Sequence, residues 1–290
     1  MFADFQKYYK YFLTHHPKKV LAALLILLSF FSYHTTNFKL DASADTLILE
    51  DDNDLKVFRD TQDKYKTKDF LVVTYTPNKD LFSPESLSEI AILKDKLLKI
   101  DIVDNVLTIL DVPLLKSIDV PLTEITLDKI KTLKNNQINK ELAKKEIVNS
   151  HIYKNLIISE DGKTTALVVY LKKNKKYAEL LNKKNRFTQK QKEKGLTDND
   201  KNILKVIKKD YEIETHKNNK KRHQAIISIR SILQDHQKTA NLYLGGIPMI
   251  ADDMISFVKK DLIVFGIGVF IFILITLIAI FKSISWFLLP

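Results

Sequence analysis

Two uncharged apolar runs bracket the chain, and between them apolar positions recur at strand and helix spacings. Val20–Phe38 holds no Lys, Arg, Asp or Glu, and neither does Leu262–Phe281. At about 1.5 Å per helical residue the second run reaches about 30 Å, the thickness of a bilayer's hydrocarbon core. Both runs read as membrane helices. Ahead of the second, Asn241–Lys260 reads as a short strand, a Gly-Gly-Ile-Pro turn and an amphipathic helix with almost no spacer. Whatever folds before Asn241 is therefore coupled rigidly to a helix in the membrane.

The intervening stretch alternates between the two periods. Phe70–Thr76 is apolar and β-branched and ends at Pro77, which predicts a buried strand. Ser83-Pro84-Glu85 offers a cap, a first-position proline and a first-turn acid, and Leu87, Ile90, Leu93 and Leu97 then follow helical spacing. Val103–Leu110 returns as a strand. Residues 111–154 read as an insertion with a helix over about 127–149. Asn155–Ser159 and Thr164–Leu171 flank Asp161-Gly162, a hairpin signal. A Lys-rich block follows as one or two helices, then a separate amphipathic helix over Gln224–Gln237 and a last strand, Ala240–Leu244. Stripped of insertions, the order is strand, helix, strand, strand, helix, strand. That is the split βαβ arrangement of ferredoxin-like folds. The expected class is an α+β membrane protein, with two membrane helices flanking one outer domain that has a split βαβ core and helical insertions.

Charge sets the orientation. Lys7, Lys10, Lys18 and Lys19 oppose a single Asp4 before the first run, so the positive-inside rule puts residues 1–19 in the cytoplasm. The run ends without a small-x-small cleavage site, which favours a retained helix over a signal peptide. The predicted layout is 20–38 as the first span, 39–260 outside the cytoplasm, 261–281 as the second span, and 282–290 as a linker into a third, truncated helix. The net charge is +11, and residues 172–222 carry all of it, with eighteen Lys and Arg against seven acids. Arg and aromatic residues are sparse there, which argues against nucleic acid as a partner. Such a block reads first as a solvated face. Close to a bilayer, its lysines would attract anionic headgroups.

Candidate chemistry is thin. The seven His are scattered without a helical metal-site spacing, and no nucleophile elbow, P-loop or dinucleotide fingerprint occurs. The acids of Glu50–Asp54 are contiguous and lack a bend glycine, so they suit a cap for Leu55–Tyr65 better than a calcium loop. Cysteine is absent. No catalytic residue, metal or cofactor is expected, and the chain does not read as an enzyme. Neither apolar run holds an ionisable residue except His34 near one end, so neither carries a proton relay. Gly266 and Gly268 suit close helix packing. Pro248 and Val258 belong to a helix that transmits movement. Ile250, Met254, Phe257 and Val258 suit packing against the outer domain. The same stripe would also serve a lipid entry groove, and Met249, Ile250, Met254 and Phe257 are its substrate-contacting candidates.

Leu40-Asp-Ala-Ser-Ala-Asp-Thr-Leu, Asp52-Asn-Asp-Leu55, Phe70-Leu-Val-Val-Thr-Tyr-Thr-Pro77, Gly245-Gly-Ile-Pro248 and Phe281-Lys-Ser-Ile-Ser-Trp-Phe-Leu-Leu-Pro290 together resemble RND-superfamily transporters of the MMPL or predicted-exporter type. The resemblance implies two repeats of six membrane helices, each with a large porter domain after its first helix, in the inner membrane with the porter domain in the periplasm. It implies proton-driven export of a hydrophobic or lipid-like molecule, with membrane lipid as a partner and an oligomeric state that varies in the family. The 290 residues match about the first third of such a protein, and the family's proton-carrying acids fall in a later helix. The expectation is a fragment or split gene that needs the remainder of the transporter, or a complementary chain, to be active. The rival reading is a two-span sensor or scaffold with an outer ligand-binding domain.

Overall fold

The computed structural model describes residues 17–35, 67–114, 131–134 and 138–281, with isolated positions 15, 57, 61, 64 and 65. Contacts divide the chain into two units, 1–42 and 43–290. Among the described residues, the first contributes α1 (Pro17–Thr35), over most of the first apolar run. The expected cap at 52–54 and the third helix beyond 281 lie outside the described residues.

The second unit is built on four strands: β1 (Phe70–Pro77), β2 (Val103–Leu107), β3 (Thr165–Leu171) and β4 (Ala240–Gly245). Their order is β2-β3-β1-β4, with every neighbouring pair antiparallel. The split βαβ expectation is realised: β3 lies between β1 and β2, and β1 between β3 and β4. Helix α2 (Pro84–Leu98) connects the first pair, and its start follows the predicted cap, the Ser83 side chain accepting a hydrogen bond from the Ser86 N–H. Leu71, Val73 and Tyr75 of β1 and Leu167, Val169 and Leu171 of β3 point into a core closed by Leu87, Ile90, Leu93 and Leu97 of α2. The alternate positions are only half covered, and Tyr243 of β4 is exposed.

Four expectations change. β2 stops at Leu107, because Thr108 and Asp111 form a reciprocal capping box that winds the chain into a 3-10 turn over Ile109–Asp111. The helix expected over 127–149 is α3 (Lys140–Val148). Lys131 instead bridges Leu114, and α3 starts where the Asn139 side chain accepts from the Glu141 and Leu142 N–H groups. Asn155–Ser159 is no strand: Asn155 takes a left-handed turn at φ 63, and Ile158 makes only isolated bridges.

The fourth is the largest. The Lys-rich block forms α4 (Lys175–Lys194) and the first part of α5 (Asp198–Asp235), a single 38-residue helix that absorbs the separate helix expected over Gln224–Gln237. Gly195, at φ 74, ends α4, and a Thr197–Asp200 capping box starts α5. No Gly or Pro follows until Gly245, so nothing interrupts α5 before the sheet. Ile226, Ile229 and Leu233 fasten its second half to the core. Its first half buries Leu204, Ile207, Tyr211, Glu214 and Thr215, and Tyr211 stacks on Tyr177 of α4 at 5.5 Å.

Candidate coupling site at the base of the membrane helix

The chain passes from sheet to membrane helix within two residues. β4 ends at Gly245, and α6 (Ile247–Phe281) runs for 35 residues. Gly246 makes the turn at φ 122, a region that side-chain-bearing residues avoid. A Cβ there would sit 3.0 Å from the Phe70 carbonyl oxygen and 3.1 Å from the Leu71 Cα. The Gly246 carbonyl then accepts from the Met249 and Ile250 N–H groups, starting the helix. Pro248 is buried in the first turn, where a proline has no helical hydrogen bond to lose, and Met249 packs partly against the core. Among the described residues, one helix has the length and composition of a membrane crossing: Ile247–Ala279 within α6, which contains an 18-residue stretch of mean hydropathy 3.1.

A hydrogen bond and an ion pair clamp α6 to α5. His223 Nδ1 donates to Asp252, 2.9 Å from Oδ2 and 3.0 Å from Oδ1. Arg230 Nη2 donates to Asp253 Oδ2 at 2.7 Å, and this bond, ahead of the partial burial that opposes it, raises the guanidinium further above its ordinary value. A third pair, Arg222 with Asp69, ties α5 to the start of β1. The joint thus has a steric pin at Gly246 and Pro248 and an electrostatic latch at Asp252 and Asp253. Sequence reasoning missed His223, Arg230, Asp252 and Asp253. The adjacent acids ahead of the uncharged span were the available signal, but their partners lie 29 and 23 residues earlier.

The apolar stripe does not lie where core packing required. Ile250, Met254, Phe257 and Val258 are all exposed, Phe257 at 62%, and of the candidates on this helix Met249 and Pro248 make the contact with the domain. The core's need for apolar surface is met by α2 and α5, leaving this face of α6 open. Positions 266 and 268 also face open space, with no atom within 4 Å of a Cβ placed at either.

At the other end of the sheet a second polar cluster joins α2, α5 and β1. Glu89 accepts from Tyr75 at 3.1 Å, from His236 Nδ1 at 3.1 Å and from Thr239. Lys96 lies 2.8 Å from His236 Nε2. Burial pushes Glu89 up, yet the hydrogen bonds from Thr239, His236 and Tyr75 outweigh it and hold the carboxyl below its usual value. Burial, then the Glu89 charge, pushes the Tyr75 phenol well above its usual range. Such a cluster keeps Glu89 ionised and fixes the helix ends. No group of three or more His, Asp and Glu suited to a metal occurs among the described residues.

Residues 187–290 match the model of the MMPL family. This stretch is similar to the MMPL family. The MMPL match takes in the end of α4 and all of α5, β4 and α6, so both α5–α6 contacts and the Gly246 turn lie inside it. The likeness implies a membrane protein and supports, at a coarse level, an RND-type exporter of hydrophobic substrates. No curated protein and no solved structure matches the chain.

Proposed function

We propose that residues 39–260 form the first porter domain of a proton-driven MMPL-type exporter in the inner membrane, facing the periplasm, with α1 and α6 as flanking spans. The α5–α6 joint is its coupling element. The observation that carries this reading is the direct passage of β4 into α6 through Gly246, latched by His223–Asp252 and Arg230–Asp253. A displacement of α6 in the membrane reaches the sheet through rigid backbone, not through a flexible linker. Uncharged residues fill Leu262–Phe281, so proton uptake belongs to other helices, in the same protein or a complementary chain. Those helices would move α6, and α6 would move the porter domain. The exposed face of Ile250, Met254 and Phe257 then serves hydrophobic substrate or lipid, with Met249 at its edge. Pro248 and Val258 transmit the motion, and Gly266 and Gly268 allow neighbouring helices to approach closely.

The test is efflux of a hydrophobic dye from proteoliposomes containing the complete transporter. Export should stop when the proton gradient is collapsed, and fall several-fold when Arg230→Asp breaks the latch. Export that persists after collapse overturns proton drive. Export indifferent to the latch overturns coupling at this joint.

A further inference from the structure

The Lys-rich hairpin of α4 and α5 carries two features that the coupling role does not use. Its first is direction. β3 ends, β4 ends and β1 begins at one edge of the sheet, since Phe70 pairs with Tyr170 and Val72 with Gly245. From that edge α6 departs. Arg222 of α5 pairs with Asp69, directly before β1, so α5 crosses the same edge at about residue 222. Its C-terminal part lies over the sheet, and residues 198–221 project beyond it on the side from which the membrane helix leaves. That overhang measures about 36 Å at the helical rise. Between the sheet and the uncharged span at Leu262, α6 offers residues 247–261, or about 22 Å. The hairpin is therefore long enough to reach the bilayer surface.

The second feature is an unpartnered face. One side of the overhang packs on α4 through Leu204, Ile207 and Tyr211. On the opposite side Val206 and Ile213 are 60% and 58% exposed, one heptad apart. Lys205 and Lys209 share that exposed arc by helical spacing. The combination suits an interfacial face: the aliphatics enter the acyl boundary while lysine stems lie over apolar surface and their ammonium groups stay at the phosphates.

We propose that this face of the α4–α5 hairpin docks on the anionic headgroups of the bilayer that α6 enters, making a second membrane contact for the domain. The inference rests on α6 being a membrane span. Docking would brace the domain against the bilayer while α6 moves, so that movement of the span becomes movement within the domain.

The chain has no cysteine, so single labels are clean. The full-length protein carrying Val206→Cys with an environment-sensitive fluorophore is reconstituted into vesicles of phosphatidylcholine alone, or with about one-third phosphatidylglycerol. Emission at 206 should rise about twofold and shift to the blue only with the anionic lipid, and high salt should reverse it. Combining it with Lys205→Gln and Lys209→Gln should abolish the rise, with helicity unchanged by circular dichroism. Equal emission in both vesicle types overturns the proposal. So does a rise that disappears at one protein per vesicle, which would assign the face to a second copy. A label at Val269→Cys separates the two readings. If it fails to report lipid, the span itself is wrong; if it reports lipid while 206 stays aqueous, only the docking is wrong.

Discussion

Asp253 of α6 accepts a hydrogen bond from Arg230 of α5 at 2.7 Å, joining the membrane helix to the helix that covers the sheet. The two side chains are 23% and 46% exposed, so solvent screens the pair and its contribution to stability is about 1 kcal/mol or less. Its importance in this reading is positional.

Arg230→Asp and Asp253→Arg should each lower stability by about 1 kcal/mol, and the double exchange should recover part of that loss. Denaturant midpoints of the purified protein measure the stability, and efflux by the complete transporter measures coupling. Each single exchange should reduce efflux more than its stability loss explains, and the double exchange should restore it. Failure of the double exchange to recover either quantity would argue that the pair is incidental.

Neighbouring glycines should respond differently. Gly246→Ala forces a Cβ to 3.0 Å from a backbone oxygen at φ 122 and should cost about 2–3 kcal/mol. Gly245→Ala meets nothing closer than the Val72 oxygen at 4.0 Å and should change stability by under about 1 kcal/mol. Thermal unfolding of the two variants side by side is the check.

Acid should weaken the corner after β2. Asp111 accepts from Lys94 at 2.6 Å and from Lys134 at 2.7 Å. Burial raises its carboxyl, but the Lys134, Lys94 and Thr108 hydrogen bonds bring it down to about 2. A carboxyl depressed in the fold stabilises it above the unfolded value near 3.9 and loses that contribution as pH falls towards 2. After allowance for screening, about 1–2 kcal/mol should disappear across this window. Asp111→Asn should be less stable at pH 7 and should lack that portion of the acid loss. Urea midpoints at neutral and acid pH would show the two curves converging; parallel curves would refute the assignment.

Two isoleucines on α5 test which part of that helix belongs to the core. Ile229 has no exposed surface and Ile213 is 58% exposed. Ile229→Ala should cost about 3 kcal/mol through lost burial and a residual cavity. Ile213→Ala should stay within about 0.5 kcal/mol in detergent. An equal loss at both sites would mean that the overhang is packed on something in solution.

Much of the sheet was legible from the chain because its signals are local. The alternation in Phe70–Pro77, the Ser83-Pro84 start and the Asp161-Gly162 turn are each read within a few residues. There Gly162 turns at φ 70 beneath a Ser159–Thr164 hydrogen bond. The same locality explains the errors. Lysines interrupt the apolar period of α5, so one helix looked like several. The short boundaries at Leu107 and Asn139 were decided by side-chain caps competing with the period.

Sequence alone determined the uncharged length of Leu262–Phe281, the +11 excess held in residues 172–222 and the strand–helix order, since each follows from composition or short-range spacing. Tertiary structure decided what those pieces face. It paired Asp252 and Asp253 with His223 and Arg230, which depends on contacts 23 and 29 residues apart. It turned Ile250, Met254 and Phe257 outward, because α2 and α5 had already filled the core. It also set the lysines on the membrane-helix side of the sheet, because the antiparallel register of β1, β3 and β4 brings the exits of hairpin and span to one edge.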